Sequence, residues 1–192
     1  MDLDFAAWAP AAARRVRPHV RFTPLEPSPH FSALCDANVF FKLENFQHTG
    51  SFKVRGALHN LLTLDPAPAR RGVVAASTGN PGATTGYALR ALGLEGEVFV
   101  PEGASPVKLE AIRRWGVALR VHGADAVETE VHARRHAERA GMAYLSPYND
   151  PDVVLGQATL GVELAEQLDR VDALVVALGG GGLAAGVAGV VR

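Results

Sequence analysis

The sequence predicts an α/β fold built on open, mostly parallel twisted sheets with flanking helices. Three observations carry that expectation. Short apolar runs alternate with helical stretches from about Val73 to the end of the chain, and such alternation implies βαβ crossovers. The runs lack period-two alternation, as strands covered on both faces do. Loops rich in glycine, serine and threonine join several runs to the helices that follow, at the position where open α/β sheets bind ligands.

Element by element, residues 1–37 carry prolines at 10, 18, 24, 27 and 29 and read as irregular. NVFFKLE (38–44) reads as a strand, and a helix follows from Ser51, a candidate N-cap, to about Leu64. DPAPARRG (65–72) breaks the composition and marks a candidate domain boundary. Strands are then expected at Val73–Ser77, Glu97–Pro101, Ala118–His122, Met142–Leu145 and Val171–Leu178. Helices are expected at Pro81–Leu92, Ser105–Trp115, Ala126–Ala140, about Val153–Leu168, and from Leu183 to Arg192. The last of these carries no terminating glycine or proline, which reads as an interrupted fold.

Composition narrows the function. The chain has 192 residues, 48% apolar, with 19 Lys plus Arg against 20 Asp plus Glu and a net charge of −1. No basic field exists to draw nucleic acid. No apolar run reaches the roughly 18 residues that a membrane span needs. The single cysteine, Cys35, forms no intramolecular disulfide and suits a reducing cytoplasm. Only three lysines occur, Lys42, Lys53 and Lys108, against 16 arginines. A small-molecule ligand is the expected partner.

Three strand-to-helix loops have the composition for it: ENFQHTGSFKVRGA (44–57), STGNPGATTG (77–86) and GGGGLAAG (179–186). In the third, Gly179, Gly180, Gly181 and Gly182 offer bare amides and a helix N-terminus to a phosphate. Gly180, Gly182 and Ala185 also satisfy a dinucleotide pattern, a weak signal without its acidic partner. In the second, Ser77, Thr78, Gly79 and Asn80 offer amides and hydroxyls to a carboxylate or phosphate. In the first, Lys53 follows Phe52 near a helix start, and both neighbours favour a neutral amine. A neutral amine is what bonding to an aldehyde requires. Lysine, carboxylate loop and phosphate loop together describe pyridoxal phosphate chemistry.

Glu44–Ala57 resembles the lysine motif of the threonine and serine dehydratases, pyridoxal-phosphate enzymes of fold type II. STGN (77–80), VPEGASPVKLEAIRRWG (100–116), SPYNDPDVVLGQATLGVEL (146–164) and GGGGLAAG follow in that family's order. The resemblance implies that pyridoxal 5'-phosphate is carried by Lys53, that Phe52 packs near its ring, and that Asn80 meets its ring hydroxyl. Gly179–Gly182 with Leu183 would hold the phosphate, and Ser77, Thr78, Gly79 and Asn80 the substrate carboxylate. Thr78, with Lys53, is a candidate catalytic residue, because the racemase branch uses the corresponding serine in acid/base work. The resemblance further implies a smaller α/β domain at 71–147 inserted into a larger cofactor-binding domain, 1–70 and 148–192, which is incomplete. The expected activity is elimination of water from a small hydroxy amino acid such as threonine or serine, giving a 2-oxo acid and ammonia, in a cytoplasmic homo-oligomer.

The chain departs from that family at Pro81, where dehydratases commonly have histidine, at Thr78, and at His48 beside the lysine loop. Competing readings are a racemase, threonine-synthase or cysteine-synthase activity, a dinucleotide-dependent enzyme, and an inactive remnant. His132 and His136 sit at helical i, i+4 spacing but among arginines, so a solvated face is expected there rather than a metal site. Cys35, Lys42 and Lys108 have no setting suited to chemistry.

Overall fold

The computed structural model describes residues 4–77 and 79–191. Its centre is a parallel four-stranded sheet of β3 (Val73–Ala76), β4 (Gly96–Val100), β5 (Ala118–Val121) and β6 (Ala143–Tyr144), in the order β5-β4-β3-β6. Crossovers are α5 (Asn80–Leu92), α6 (Pro106–Arg113) and α7 (Ala126–Ala140). Both faces are covered, and the strand residues divide between them by alternation. Val98 and Val100 pack with Ala83 and Ile112 of α5 and α6, and Val73 and Ala75 lie in the main core. Val74 and Phe99 face the opposite way, onto Ala133 and Ala137 of α7. Val73, Val74, Val98 and Val100 are fully buried, each contributing on the order of 1.5–3 kcal/mol relative to exposure.

Six more α-helices are described. They are α1 (Phe5–Val16), α2 (Pro29–Cys35), α3 (Lys53–Thr63), α4 (Pro66–Arg71), α8 (Pro151–Gln167) and α9 (Gly182–Val190). The main core joins α1, α3, α5 and α8 to the sheet through Val16, Val54, Leu58, Leu61, Leu89 and Val153. Helices α3 and α8 cross in close contact. A Cβ on Gly156 would lie 2.5 Å from both the Arg55 carbonyl oxygen and the Gly56 Cα. Only glycine permits that approach. α8 in turn carries α9, where a Cβ on Gly186 would meet the Val154 carbonyl at 2.7 Å.

Several expectations need correction. Much of the described part of 1–37 is regular: Asp4 caps α1 by accepting from the Ala7 N–H, and α1 accommodates Pro10 while burying Ala9, Ala12, Ala13 and Val16. The strand at 38–44 is only β2 (Phe40–Lys42), paired antiparallel with β1 (Leu25–Pro27) outside the parallel sheet. Ser51 does not cap α3; Phe52 holds that position, and the Ser51 hydroxyl is buried without a partner. The break at 65–72 contains α4, capped by Asp65. Val171–Leu178 forms no strand: Val175 is 99% exposed and Leu178 77%. A parallel strand needs a neighbour to satisfy its amides and carbonyls, and none of the described strands lies beside this segment. Arg192, the end of the expected last helix, lies outside the described residues. His132 and His136 do not project freely into solvent. Both rings flank Phe99, His132 stacks on His122 with centroids 3.5 Å apart, and His136 Nε2 lies 2.5 Å from the Glu97 carboxylate. No cluster suited to a metal ion occurs among the described residues.

Candidate active site

In the sheet, the chain runs from β3 outward to β4 and β5, then returns to place β6 on the other side of β3. The order therefore reverses between β3 and β6, and the crevice beyond the carboxyl ends of those strands is where such sheets bind ligands. A cavity lies at that point. It is lined by Ala75, Ala76 and Ser77 past β3, by Leu145, Ser146 and Pro147 past β6, and by Pro81, Thr84 and Thr85 of α5. Lys53 and Ala57 of α3 and Val153 and Gln157 of α8 close it.

Lys53 is the first residue of α3 and is half-buried. Burial alone pushes its amine below the ordinary lysine value. The Phe52 ring centroid lies 5.0 Å from Nζ. Ser77, by contrast, is committed locally: its hydroxyl accepts from the Gly79 N–H at 3.2 Å. Pro81 holds the first turn of α5, where its missing N–H costs nothing.

The loop ahead of Lys53 is fixed from two sides. Buried Thr49 hydrogen-bonds Thr84 of α5 at 3.1 Å. On the other side, fully buried Arg55 donates to both oxygens of Glu44, at 2.8 and 2.9 Å, and to Glu163 of α8 at 2.7 Å. Lys42 donates to the other Glu163 oxygen at 2.7 Å. Burial raises the Glu163 carboxyl, but the hydrogen bonds and charges of Arg55 and Lys42 outweigh it and hold the group below its ordinary value. This network was missed in the sequence. Its signal is a glutamate on the α8 stripe that also carries Gly156 and Leu160. Its consequence is that Lys42 is occupied, which leaves Lys53 as the half-buried lysine without an ion pair among the described residues.

The glycine run lies outside the cavity lining, at the start of α9. Gly181 is the N-cap, with a φ of +83° that other residues rarely adopt, and no side chain caps the helix. A Cβ on Gly180 or Gly182 would lie 2.7 Å from the Tyr148 side chain or 2.9 Å from its carbonyl oxygen. Phe52 and Leu183 both pack against Leu160, Leu164 and Val187, so one apolar cluster joins the lysine loop to the glycine loop. Of the residues read from the second loop, Ser77 lines the cavity. Asn80 is exposed at the first position of α5, Gly79 is that helix's N-cap, and Thr78 lies outside the described residues.

These residues fit pyridoxal phosphate. An amine desolvated without a carboxylate partner suits bonding to an aldehyde. Uncapped amides around bare glycines suit a phosphate. The buried Gln157 Oε1, which has no partner, belongs to a residue that lines the same cavity as the lysine.

Comparison with known proteins agrees. The family model described as pyridoxal-phosphate dependent enzyme matches residues 16–192. The chain is 41% identical over 177 residues to the beta-hydroxyaspartate dehydratase of Paracoccus denitrificans, covering 92% of this chain and 56% of that protein. It is 38% identical to the catabolic L-threonine dehydratase TdcB of Escherichia coli, over 92% of this chain and 54% of that one. Among solved structures, threonine deaminase isoform 2 of Solanum lycopersicum superposes with a TM-score of 0.92 at 31% identity, covering 99% of this chain and 56% of its own. Maize serine racemase gives 0.91 at 32%, covering 95% and 56%. The chain thus spans about half the length of the relatives that it matches. With the fold shared and the family model matching nearly end to end, the chain belongs to the pyridoxal-phosphate dependent enzyme family.

Proposed function

We propose that the chain serves the dehydration and deamination of a small hydroxy amino acid such as threonine or serine to a 2-oxo acid and ammonia. The observation that carries this reading is the desolvated Lys53 amine at the sheet's switch point, in one cavity with Ser77. The names of the two curated relatives support it, since each acts on an amino acid bearing a hydroxyl.

On this reading Lys53 would hold the cofactor through its aldehyde carbon, and Phe52 would flank the ring. Asn80 would meet the ring hydroxyl, and Gly179–Gly182 with Leu183 would hold the phosphate on their amides. Ser77, Thr78, Gly79 and Asn80 receive the substrate carboxylate, which orients the Cα–H bond toward Lys53. Pyridoxal phosphate supplies an electron-accepting ring that makes that bond acidic. Lys53 Nζ, its basicity lowered by burial, would take the Cα proton once the substrate's amino group has displaced it from the cofactor. Loss of the hydroxyl as water, then addition of water at the nitrogen-bearing carbon, leaves a 2-oxo acid and frees ammonia. We further propose that residues 71–147 form a smaller domain inserted between 1–70 and 148–192, because the parallel sheet lies wholly within that span. We also propose that the chain self-associates through exposed apolar residues around Val175, and that it works in the cytoplasm, which suits its one free, exposed cysteine.

The test is product analysis with threonine, serine and 3-hydroxyaspartate in the presence of pyridoxal phosphate. Because the matched part is little more than half of each relative, it is run on the chain alone and on a chimera carrying the remainder of the Escherichia coli relative. Matched amounts of 2-oxo acid and ammonia support the reading. Racemised amino acid without 2-oxo acid moves it to the racemase alternative, and no product from either protein rejects it.

A further inference from the structure

The cavity beside Lys53 is small, about 20 Å³, which is room for roughly one water molecule. Its polar side chains can be accounted for one at a time. Ser77 accepts from the Gly79 N–H, and Thr84 pairs with Thr49. Thr85 donates to the Pro81 carbonyl, and Ser146 donates to Asn149. Two lining side chains have no hydrogen-bond partner at all among the described residues: Lys53, whose amine is a donor, and Gln157, whose side-chain carbonyl is an acceptor. Gln157 is 2% exposed, and its Oε1 has no partner.

The close crossing of α3 and α8 explains how the two come to share one void. Lys53 and Gly56 lie one turn apart on the same face of α3. The Gln157 carboxamide fills the place where a Gly56 side chain would stand, since a Cβ there would lie 2.2 Å from Nε2. Gly56 and Gly156 are thus the steric condition for setting a long polar side chain beside the lysine.

We propose that Gln157 is a positioning residue for Lys53: its carbonyl oxygen accepts an N–H of the lysine amine across their shared cavity, through the one water the cavity has room for. This rests on the reading of Lys53 as the cofactor lysine, and it states where the amine is held whenever it is not bonded to the cofactor. An uncharged acceptor suits that task. It orients the amine's N–H bonds while leaving the nitrogen free to lose its proton, whereas a carboxylate would pin it as an ammonium ion. α5, β3, the segment after β6, and α8 bring no carboxylate and no second cation to the cavity lining. The nearby charges of α3 and α8, Arg55 and Glu163, are paired with each other.

The experiment uses the chain without added cofactor, labelled with ¹⁵N in its lysine side chains, and follows Nζ by NMR against pH. Three lysines make assignment straightforward. Replacing Gln157→Glu is expected to raise the Lys53 midpoint by about one pH unit or more, and Gln157→Leu to lower it, with Lys42 and Lys108 unmoved. Identical Lys53 midpoints in all three folded proteins would overturn the proposal. A second measurement needs no substitution: the side-chain amide resonances of Gln157 in the unaltered chain should titrate with the Lys53 midpoint. Resonances that stay fixed while Lys53 titrates overturn the proposal even if both variants fail to fold. Neither readout depends on where the cofactor attaches, so failure here is distinct from failure of the functional reading.

Discussion

The hydroxyls of Thr49 and Thr84 lie 3.1 Å apart, both buried, and join the loop that leads into Lys53 to the helix that starts at Asn80. One hydrogen bond therefore ties the proposed lysine loop to the proposed carboxylate loop. Thr84→Val removes one partner and strands the other, which costs about 1–3 kcal/mol when a buried group is left unsatisfied. The double variant Thr49→Val/Thr84→Val is expected to recover much of that loss. Urea unfolding of the two single variants and the double variant measures the coupling.

The Arg55–Glu44–Glu163–Lys42 network makes a second prediction. Glu163→Gln leaves Arg55 and Lys42 buried with a lost charge partner, for an expected loss of about 3–5 kcal/mol at neutral pH. Glu163 is held below its ordinary value of 4.5, so its contribution is present in full above that value. It is lost as the pH falls through the lower, folded-state value. The stability gap between wild type and variant should therefore close on the acid side, and denaturant midpoints measured from pH 7 to pH 3 check it.

Helix crossing makes a third. Gly156→Ala drives a Cβ into the backbone of α3, and overpacking of this kind costs about 1–3 kcal/mol. Gly103, which faces open space, is the control. Gly103→Ala should leave the thermal midpoint within experimental error, while Gly156→Ala lowers it.

Much of this arrangement was legible in the sequence, for physical reasons. Buried parallel strands such as Val73–Ala76, and β4 from Val98 to Val100, carry continuous apolar residues, and glycine loops mark where backbone must be bare. Helix α1 was not legible because Pro10 and its neighbouring prolines suggested irregular chain, whereas the Asp4 cap and the buried alanine stripe decide in favour of helix. Val171–Leu178 reads as a strand because its side chains suit one. Pairing depends on a neighbour, which local composition does not report. Lys53 and Ser77 were candidates in the sequence and both line the cavity, but Gln157 was missed, because its partnerless carbonyl is a property of two crossing helices and leaves no mark in either.

That unpaired segment makes a fourth prediction. Val175 and Leu178 place exposed apolar surface where strand residues would be buried, and such surface drives association. Val175→Asp/Leu178→Asp should shift the protein toward monomer without changing its far-ultraviolet circular dichroism. Sedimentation velocity over a range of concentrations checks it, and unchanged association would place the contact elsewhere.

The central claim is that Lys53 is the lysine that carries the cofactor. The most direct measurement loads the chain with pyridoxal phosphate, reduces it with borohydride, digests it and locates the pyridoxyl group by mass spectrometry. The account predicts the label on Lys53 and its loss in Lys53→Ala, whose fold should survive because the head group lies outside the core. A label on Lys42 or Lys108, or none on Lys53, would contradict it.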